Sequence, residues 1–225
     1  MSADAYFTRP RRELVAFVPG EAKVMLDVGC GGGAFAAGVR ESRGGAAADL
    51  TIWGIELDPE AARRAEQEID HVHRGDARLI LQDLPPGHFD CVFLNDVLEH
   101  VADPETLLAG VRRVLAPAGS LIVSIPNVRY VFNVVDLAIK GRWDYTDEGI
   151  LDRTHLRFYT RSSILGLLEQ AGFRIVQTTG INQTRSWKFR VLNLLTAGRF
   201  ADMGYLQFAV VARLQRPAVE PSAAE

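Results

Sequence analysis

The segment VMLDVGCGGGAFA, from Val24 to Ala36, constrains the fold of this chain more than any other. It joins a short apolar run that ends near Asp27 to a turn with four glycines among five residues. Glycine allows the backbone to turn tightly and lets a ligand approach without meeting a Cβ atom. The segment therefore predicts a buried strand over Val24–Val28, a glycine-rich turn and a helix over Ala34–Glu41.

Short apolar runs alternate with helix-period segments along the rest of the chain. The predicted strands are Thr51–Glu56, His71–Arg74, Phe89–Asn95, Ser120–Pro126, Arg174–Thr179 and Leu206–Leu214. The predicted helices are Pro59–Ile69, Pro104–Leu115 and Ser162–Ala171, with a turn at Ala116–Gly119 and a glycine cap at Gly172. This alternation indicates an α/β fold, with a mainly parallel sheet covered by helices on both faces.

Composition restricts the class of protein. The chain has 225 residues, 48% of them hydrophobic, and a formal net charge of −3, which suits one globular domain and not a nucleic-acid binder. Two cysteines are too few for a disulfide framework or a cysteine-rich zinc site. We find no signal peptide and no apolar run of the ~18 residues that a membrane span needs. We expect a cytoplasmic protein with one domain over residues 1–215 and a disordered tail over 216–225.

Two carboxylates at predicted strand ends restrict the ligand that the glycine-rich turn can hold. Ligands of open parallel sheets bind beyond the carboxyl ends of the strands. Gly29-x-Gly31-x-x-Ala34 alone would satisfy a dinucleotide fingerprint, but the carboxylate of Asp27 would face a pyrophosphate. It suits an ammonium or sulfonium group instead. Glu56 can accept hydrogen bonds from two ribose hydroxyls, at roughly 1.5–3 kcal/mol for each charge-assisted bond.

The chain resembles a class I S-adenosylmethionine-dependent methyltransferase in five segments. They are LDVGCGGGAF, WGIELDPEAARRA, GDARL, FDCVFLNDVLEHVADPETLL and LAPAGSLIVSIPN. The resemblance is greatest to the ubiquinone-type O-methyltransferase branch and to members in bacterial glycan and natural-product clusters, of which GRWDYTDEGILDRTHLRFYT is typical. It implies a Rossmann-like fold whose seven-stranded sheet is mostly parallel, with the last strand antiparallel and inserted between its neighbours.

The same resemblance implies S-adenosylmethionine as cofactor and gives roles to residues of this chain. The implied cofactor-binding residues are Asp27, Gly29, Cys30, Gly31, Glu56, Leu57, Asp76, Ala77 and Asn95. Asp27 would lie near the methionine amino group and Glu56 would hold the ribose hydroxyls. The carboxylate of Asp76 would meet the exocyclic amine of the adenine. Residues 1–22 are predicted to fold over the cofactor.

The acceptor side is predicted from chemistry and from two segments that interrupt the alternation, residues 128–160 and 181–203. An alcohol or phenol acceptor usually needs a general base, whereas a carboxylate or free amine does not. His100 and His155 are the candidate bases, although either could only hold its segment in place. The candidate acceptor-binding residues are Tyr145, Asp152, Arg157 and Tyr159.

Several alternatives remain open from the sequence. We expect methyl transfer to oxygen of a small-molecule or glycan-intermediate acceptor. The alternatives are an N- or carboxyl-methyltransferase for a small-molecule, carrier-bound or peptide acceptor, and a catalytically silent cofactor-binding subunit. Asp96 with Glu99 could hold a metal, but this spacing is more typical of a solvated helix face, and we expect no metal. Trp187–Leu195 is interpreted as a lid or homodimer contact in preference to a membrane-surface helix.

Overall fold

The computed structural model describes residues 11–215, so the predicted tail at 216–225 lies outside the described residues. The strands are β1 (Val24–Val28), β2 (Thr51–Glu56), β3 (His71–Arg74), β4 (Phe89–Asn95), β5 (Leu115–Pro126), β6 (Phe173–Gln183) and β7 (Tyr205–Leu214). The helices are α1 (Arg12–Val15), α2 (Ala34–Arg43), α3 (Pro59–Ala65), α4 (Ala77–Asp83), α5 (Pro104–Val114), α6 (Val131–Lys140), α7 (Arg161–Gln170) and α8 (Trp187–Leu195). Short 3₁₀ turns lie at Gly44–Asp49, Leu98–His100 and Ala201–Gly204.

All seven strands form one sheet in the order β3-β2-β1-β4-β5-β7-β6. β1 pairs in parallel with β2 and β4, and β4 pairs in parallel with β5. β7 is antiparallel to both of its neighbours, β5 and β6. The predicted fold class is therefore confirmed, including the position of the last strand between its neighbours.

The side chains of β1 supply both faces of the sheet. Leu26 and Val28 belong to the larger apolar cluster, together with residues of α5 and α7. Met25 points to the opposite cluster, where Phe35 and Val39 of α2 cover the sheet. Successive strand residues point to opposite faces, so a strand covered on both sides must be apolar throughout. Asp27 is the exception within β1, and it is buried.

Two helices begin with the same Asp-Pro-Glu sequence and the same cap. The Asp58 carboxylate accepts hydrogen bonds from the backbone N–H groups of Glu60 and Ala61 at the start of α3. Asp103 accepts from the backbone N–H of Thr106 at the start of α5. Proline follows each cap at a position whose N–H has no helical partner. These caps fix where the two helices leave the ends of β2 and β4.

The structure corrects several predicted bounds. Ala116–Gly119 does not separate two elements, because β5 runs through it from Leu115 and bulges where the β4 pairing shifts between Phe89 and Cys91. The turn composition bends the strand without ending it. The helix predicted over Pro59–Ile69 ends earlier, at Ala65. Within residues 11–215, no helix combines the length and the apolarity needed to cross a membrane.

Candidate active site

A cavity of about 1050 Å³ opens at the carboxyl edge of the parallel strands. All the residues that the sequence implies for the cofactor line it: Asp27, Gly29, Cys30, Gly31, Glu56, Leu57, Asp76, Ala77 and Asn95. His100 and Asp152, from the acceptor candidates, line the same cavity. Tyr145, His155, Arg157 and Tyr159 do not line it. The glycine-rich turn, the end of β4 and part of the first insertion thus share one site.

Glu56 joins the glycine-rich turn to β2. Its Oε2 accepts the backbone N–H of Gly31 at 2.8 Å, and its Oε1 accepts the backbone N–H of Asp58 at 2.8 Å. The backbone N–H of Gly29 also donates to the carbonyl of Ile55 at 2.7 Å. The carboxylate is therefore fixed from two sides before any ligand binds. Its remaining lone pairs are available for ribose hydroxyls.

Two glycines in this region are required by close contacts. Gly29 has φ +71°, and a Cβ there would lie 2.9 Å from Val97 Cγ2. Gly54 in β2 has no positive φ, but its Cβ would lie 2.7 Å from the sulfur of Cys30. Cys30 is thus packed directly on the second strand. Burial raises the pKa of the Cys30 thiol, so the group stays protonated and acts by packing.

Asp27 is the group of the site that most needs a ligand. Its carboxylate is 2% exposed, and its Oδ1 has no hydrogen-bond partner among residues 11–215. Burial raises the pKa of Asp27 to about 8, and the nearby charge of Glu56 adds to the shift. A buried carboxylate without a partner is unfavourable. A cationic group such as the amino group or sulfonium of S-adenosylmethionine would compensate it, so these residues fit that cofactor.

Asp76 and Asn95 differ in whether their polar side-chain atoms have hydrogen-bond partners. Asp76 caps α4 by accepting the backbone N–H of Arg78, and its carboxylate also pairs with the Arg78 guanidinium. These hydrogen bonds from Arg78 lower the pKa of Asp76. The side-chain amide of Asn95 is buried without a partner among the described residues. Leu57, by contrast, is exposed beside the cavity.

The two candidate bases lie against each other. The rings of His100 and His155 meet edge to face, with centroids 4.8 Å apart. Nδ1 of His100 lies 3.3 Å from the carbonyl oxygen of Thr154, and Nδ1 of His155 lies 2.9 Å from the carbonyl oxygen of Ile150. Burial lowers the pKa of His100, and the charge of His155 lowers it further. His100 is therefore neutral at neutral pH and can accept a proton.

Glu99 is buried beside this pair, which the sequence does not reveal. It is 1% exposed, and both its carboxyl oxygens lack hydrogen-bond partners within the described part of the chain. Burial raises the pKa of Glu99, and the charge of Asp96 adds to the shift. The expected solvated helix face is therefore wrong, because the first insertion covers this carboxyl. Ligand atoms of Glu99, His100 and His155 lie within 4.8 Å of one another and could hold a metal ion.

Two of the remaining acceptor candidates, Arg157 and Tyr159, hold the first insertion in place. The guanidinium of Arg157 donates to the carbonyl of Ala102 at 2.6 Å, and the backbone N–H groups of Leu156 and Arg157 donate to the carbonyl of Glu99. Tyr159 is buried and pairs in a bridge with Asn127, and burial raises the pKa of its hydroxyl to about 12. Tyr145 is exposed near Phe158.

Asp152 is the acceptor candidate whose carboxylate is both at the cavity and fixed. Its Oδ1 accepts the backbone N–H of Thr154 at 2.8 Å and the Thr154 hydroxyl at 2.6 Å. Burial acts to raise the pKa of Asp152, but these hydrogen bonds and the nearby histidines outweigh it and lower that pKa overall. The same Thr154 contacts His100, so Asp152 orients the histidine through one residue.

Arg11 reaches the cavity from the N-terminal segment. Its guanidinium pairs with Asp96, the residue that follows β4, and both side chains are 16% exposed. The same guanidinium donates to the Ser124 hydroxyl at 3.2 Å and to Gln207 Oε1 at 3.3 Å. Asp96 has φ +54°, so the chain turns sharply at this point. The chain is therefore anchored at Arg11 to the ends of β4 and β5. No pattern in the sequence predicts this contact.

Comparison with known proteins identifies the class. The structure resembles a SAM dependent methyltransferase from Archaeoglobus fulgidus, with a TM-score of 0.66 over 94% of each chain and 20% identity, which supports the fold. A methyltransferase domain model matches residues 3–178, so the chain belongs to the methyltransferase domain family. It is an S-adenosylmethionine-dependent enzyme of the methyltransferase class.

Two sequence relatives place the chain near one branch. A ubiquinone biosynthesis O-methyltransferase from Aromatoleum aromaticum is 27% identical over 203 residues, covering 83% of this chain and 77% of that protein. The protein of the same name from Dinoroseobacter shibae is 31% identical over 175 residues, covering 76% of this chain and 67% of that protein. The predicted resemblance to the ubiquinone branch is confirmed.

Proposed function

We propose that this methyltransferase acts at oxygen of a small-molecule or glycan-intermediate acceptor. The observation that supports oxygen most directly is the position of His100 at the cavity, with the ring of His155 against it. An alcohol or phenol becomes a good nucleophile only when its proton is removed, and a histidine with a lowered pKa remains available for that task at neutral pH. The relatives named as O-methyltransferases support the same assignment.

The cofactor half of the cavity accounts for binding. The proposed ligands are the nine residues implied by the sequence, with Asp27 facing the cationic part and Glu56 the ribose. S-adenosylmethionine supplies an electrophilic methyl group on a sulfonium when it is bound. The residues of this chain orient that group and exclude water from it, and alignment of reacting groups is worth up to ~7–11 kcal/mol in ideal cases.

The acceptor half accounts for proton removal. His100 is proposed to take the hydroxyl proton of the acceptor as the new bond to oxygen forms. His155 and Asp152 position it, the first by ring contact and the second through Thr154. Asp152 lines the cavity and is the proposed acceptor contact. Arg157 and Tyr159 are proposed to keep the first insertion in place around the acceptor, and Tyr145, exposed near Phe158, stays a proposed acceptor contact.

The N-terminal segment is proposed to cover the cofactor within one domain over residues 1–215. Arg11 supports this proposal because it lines the cavity and is anchored to Asp96. Deleting residues 1–12 should weaken the binding of S-adenosylhomocysteine, measured by calorimetry. An unchanged affinity of the truncated chain would rule the covering role out.

Transfer of a labelled methyl group tests the proposed reaction. The purified chain is incubated with labelled S-adenosylmethionine and separate pools of phenols, sugar nucleotides, carboxylates, amines and short peptides. Label in a phenol or sugar pool, reduced in His100→Ala, is expected. Label that appears in an amine or carboxylate pool, with the His100→Ala and His155→Ala variants both fully active, would favour an N- or carboxyl-methyltransferase instead. Tight binding of S-adenosylhomocysteine with no transfer to any pool would favour a silent subunit or a missing partner.

A further inference from the structure

Helix α8 has an apolar arc that faces away from the protein. Trp187, Val191, Leu194 and Leu195 fall at i, i+4, i+7 and i+8, so at 3.6 residues per turn they share an arc of roughly 100°. Leu194 and Leu195 are each 79% exposed, and Trp187 is 69% exposed. The opposite side of the helix holds Phe189, which is buried with Val131 and Met203. The helix is thus docked by one side, and no residue of 11–215 covers its more apolar side.

Basic side chains border this arc. Lys188 and Arg190 lie on either side of it by helical geometry. Residues 184–201 contain Arg185, Lys188, Arg190 and Arg199 and no acidic residue, although the whole chain has a net charge of −3. The salt bridges found among residues 11–215 involve none of these four. The segment is therefore locally cationic in an acidic protein.

The arc lies at the same edge of the sheet as the cavity. α8 connects the end of β6 to the start of β7, and α6 follows the end of β5, so the sheet topology puts both helices at that edge. α6 exposes a second apolar stripe, formed by Phe132, Val135 and Ile139. No residue of α8 lines the cavity. The apolar arc is therefore separate from the walls of that cavity.

We propose that α8, with the exposed stripe of α6 beside it, binds the surface of an anionic lipid bilayer. An interfacial helix buries an apolar side with Trp and Leu among the acyl chains and keeps Lys and Arg at the headgroups. α8 has this arrangement, with basic residues on both borders of the arc. A second copy of the chain is a poorer occupant, because a symmetric contact would bring cationic segments together with no acidic residue between them.

Vesicle flotation of the full chain tests this proposal. Vesicles of phosphatidylcholine alone are compared with vesicles that also contain phosphatidylglycerol, at low and at high salt. We expect binding to the anionic vesicles that weakens as salt is added. Leu194→Gln with Leu195→Gln should reduce partitioning by about tenfold or more, because each buried CH₂ contributes to insertion. Lys188→Gln with Arg190→Gln should reduce binding to anionic vesicles by about fivefold per residue.

Leu79→Gln is the matched control, because Leu79 is 66% exposed on α4 and lies outside the proposed surface. It should bind vesicles as the wild-type chain does. A blue shift of the Trp187 emission on vesicle addition, absent in Trp187→Phe, would support insertion. Failure of the wild-type chain to float, or equal loss in Leu79→Gln, would overturn the proposal. A dimer in light scattering that the leucine pair variant dissociates, without vesicle binding, would overturn it in favour of a subunit contact.

Discussion

The proposed cofactor half and the proposed acceptor half of the cavity are stabilised in different ways. In the cofactor half, backbone groups hold the shape: Gly29 and Gly31 donate to β2, and a close approach between Cys30 and Gly54 leaves no room for change. In the acceptor half, hydrogen bonds of side chains hold the shape. The Thr154 hydroxyl donates to the Asp152 carboxylate, and the Arg157 guanidinium donates to the carbonyl of Ala102.

The halves also differ in their unpaired charge. Asp27 is buried with one oxygen unpartnered, and a cationic ligand would compensate it. Asp152, facing the other half, already accepts two hydrogen bonds from Thr154. Cofactor binding should therefore depend on a few irreplaceable groups. Changes in the acceptor half should alter turnover and leave cofactor affinity nearly constant, and four predictions test this separation.

The largest expected effect is on turnover, from His100→Ala. Loss of a general base typically slows the chemical step by about 10²–10⁴-fold, while the affinity for S-adenosylhomocysteine should stay within about twofold of wild type. In the wild-type enzyme kcat/KM should fall only below about pH 6.5, the ordinary histidine pKa. The reason is that burial lowers the pKa of His100, so its imidazole stays neutral at a lower pH than an ordinary histidine does.

Two measurements decide this prediction: single-turnover methyl transfer as a function of pH, and calorimetric binding of S-adenosylhomocysteine. His71→Ala is the control, because His71 is exposed on the edge strand β3. An acidic limb that persists unchanged in His100→Ala would show that another group titrates. A large loss of cofactor affinity in His100→Ala would break the separation of the halves.

Asp27→Asn should have the next largest effect, with opposite signs on binding and stability. Loss of a charge-assisted contact should weaken S-adenosylhomocysteine binding by ~1.5–3 kcal/mol. The folded-state pKa of Asp27 is raised from 3.8 to about 8, so the folded form binds more protons between these values. The free energy of unfolding therefore falls as pH rises through that window. Above about pH 8, the Asp27→Asn variant should be more stable than the wild-type chain by on the order of a few kcal/mol, because its amide carries no buried charge.

Thermal unfolding and calorimetry from pH 5 to pH 9, a range set by the two pKa values of Asp27, check both signs. Asp90→Asn is the matched control, since Asp90 accepts the backbone N–H groups of Lys23 and Val24 at the other end of the strands. It should leave the affinity for S-adenosylhomocysteine unchanged. A lower melting temperature of Asp27→Asn at pH 8 would contradict the stated cause of the pKa shift.

Gly54→Ala should cost ~1–3 kcal/mol of stability, because the new Cβ would overlap the sulfur of Cys30. The displaced Cys30 should also weaken cofactor binding. Cys30→Ala in the same chain should restore much of the stability by removing the sulfur. Denaturant unfolding of both single variants and the double variant measures the coupling. Gly45→Ala, which meets nothing within 4 Å, is the control, and strictly additive effects at positions 30 and 54 would argue against the contact.

Arg11→Gln should have the smallest effect, because it removes the ion pair between the Arg11 guanidinium and the Asp96 carboxylate and leaves the rest of the cavity intact. We expect S-adenosylhomocysteine to bind ~1 kcal/mol more weakly, mostly through faster dissociation, since the segment would cover the ligand less often. Stopped-flow dissociation rates check this. Arg12→Gln, at an exposed neighbouring position, should leave the rate unchanged.

Sequence patterns predicted the strands around the glycine-rich turn well, because the signals for these strands are local. The bounds of β1, β2, β3 and β4 agree with the structure. β1, β2 and β4 are short, largely apolar runs ended by a polar or glycine signal, whereas β3 (HVHR) has only Val72 as an apolar residue. The cavity brings together all the residues implied for the cofactor. The role of Gly54 was not predicted, because its neighbour Cys30 is distant in sequence.

The acceptor half was predicted less completely because tertiary contacts decide it. Glu99 lies in a short turn whose polarity indicated exposure, and only the fold of residues 154–157 over it buries the carboxyl. The Ala116–Gly119 signal was local and correct about bending, but β4 pairs with β5 on both sides of it, at Leu115 and again from Ser120, so the strand continues through the bend. α4 was not predicted as a helix, because seven residues are too few to show a clear period.

The position of β7 orders the events of biosynthesis. β6 is at the sheet edge and pairs only with β7 among the described strands, yet β7 is the last of these seven strands to be synthesised. Strands β1 to β5 can pair while the rest of the chain is still being made, because domains assemble from the N-terminus during translation. β6 must wait for residues 205–214. A nascent chain that stops before residues 205–214 would already have its glycine-rich turn in place. The backbone groups of β5 that pair with β7 would still be exposed, and this edge is where a chaperone would be needed most.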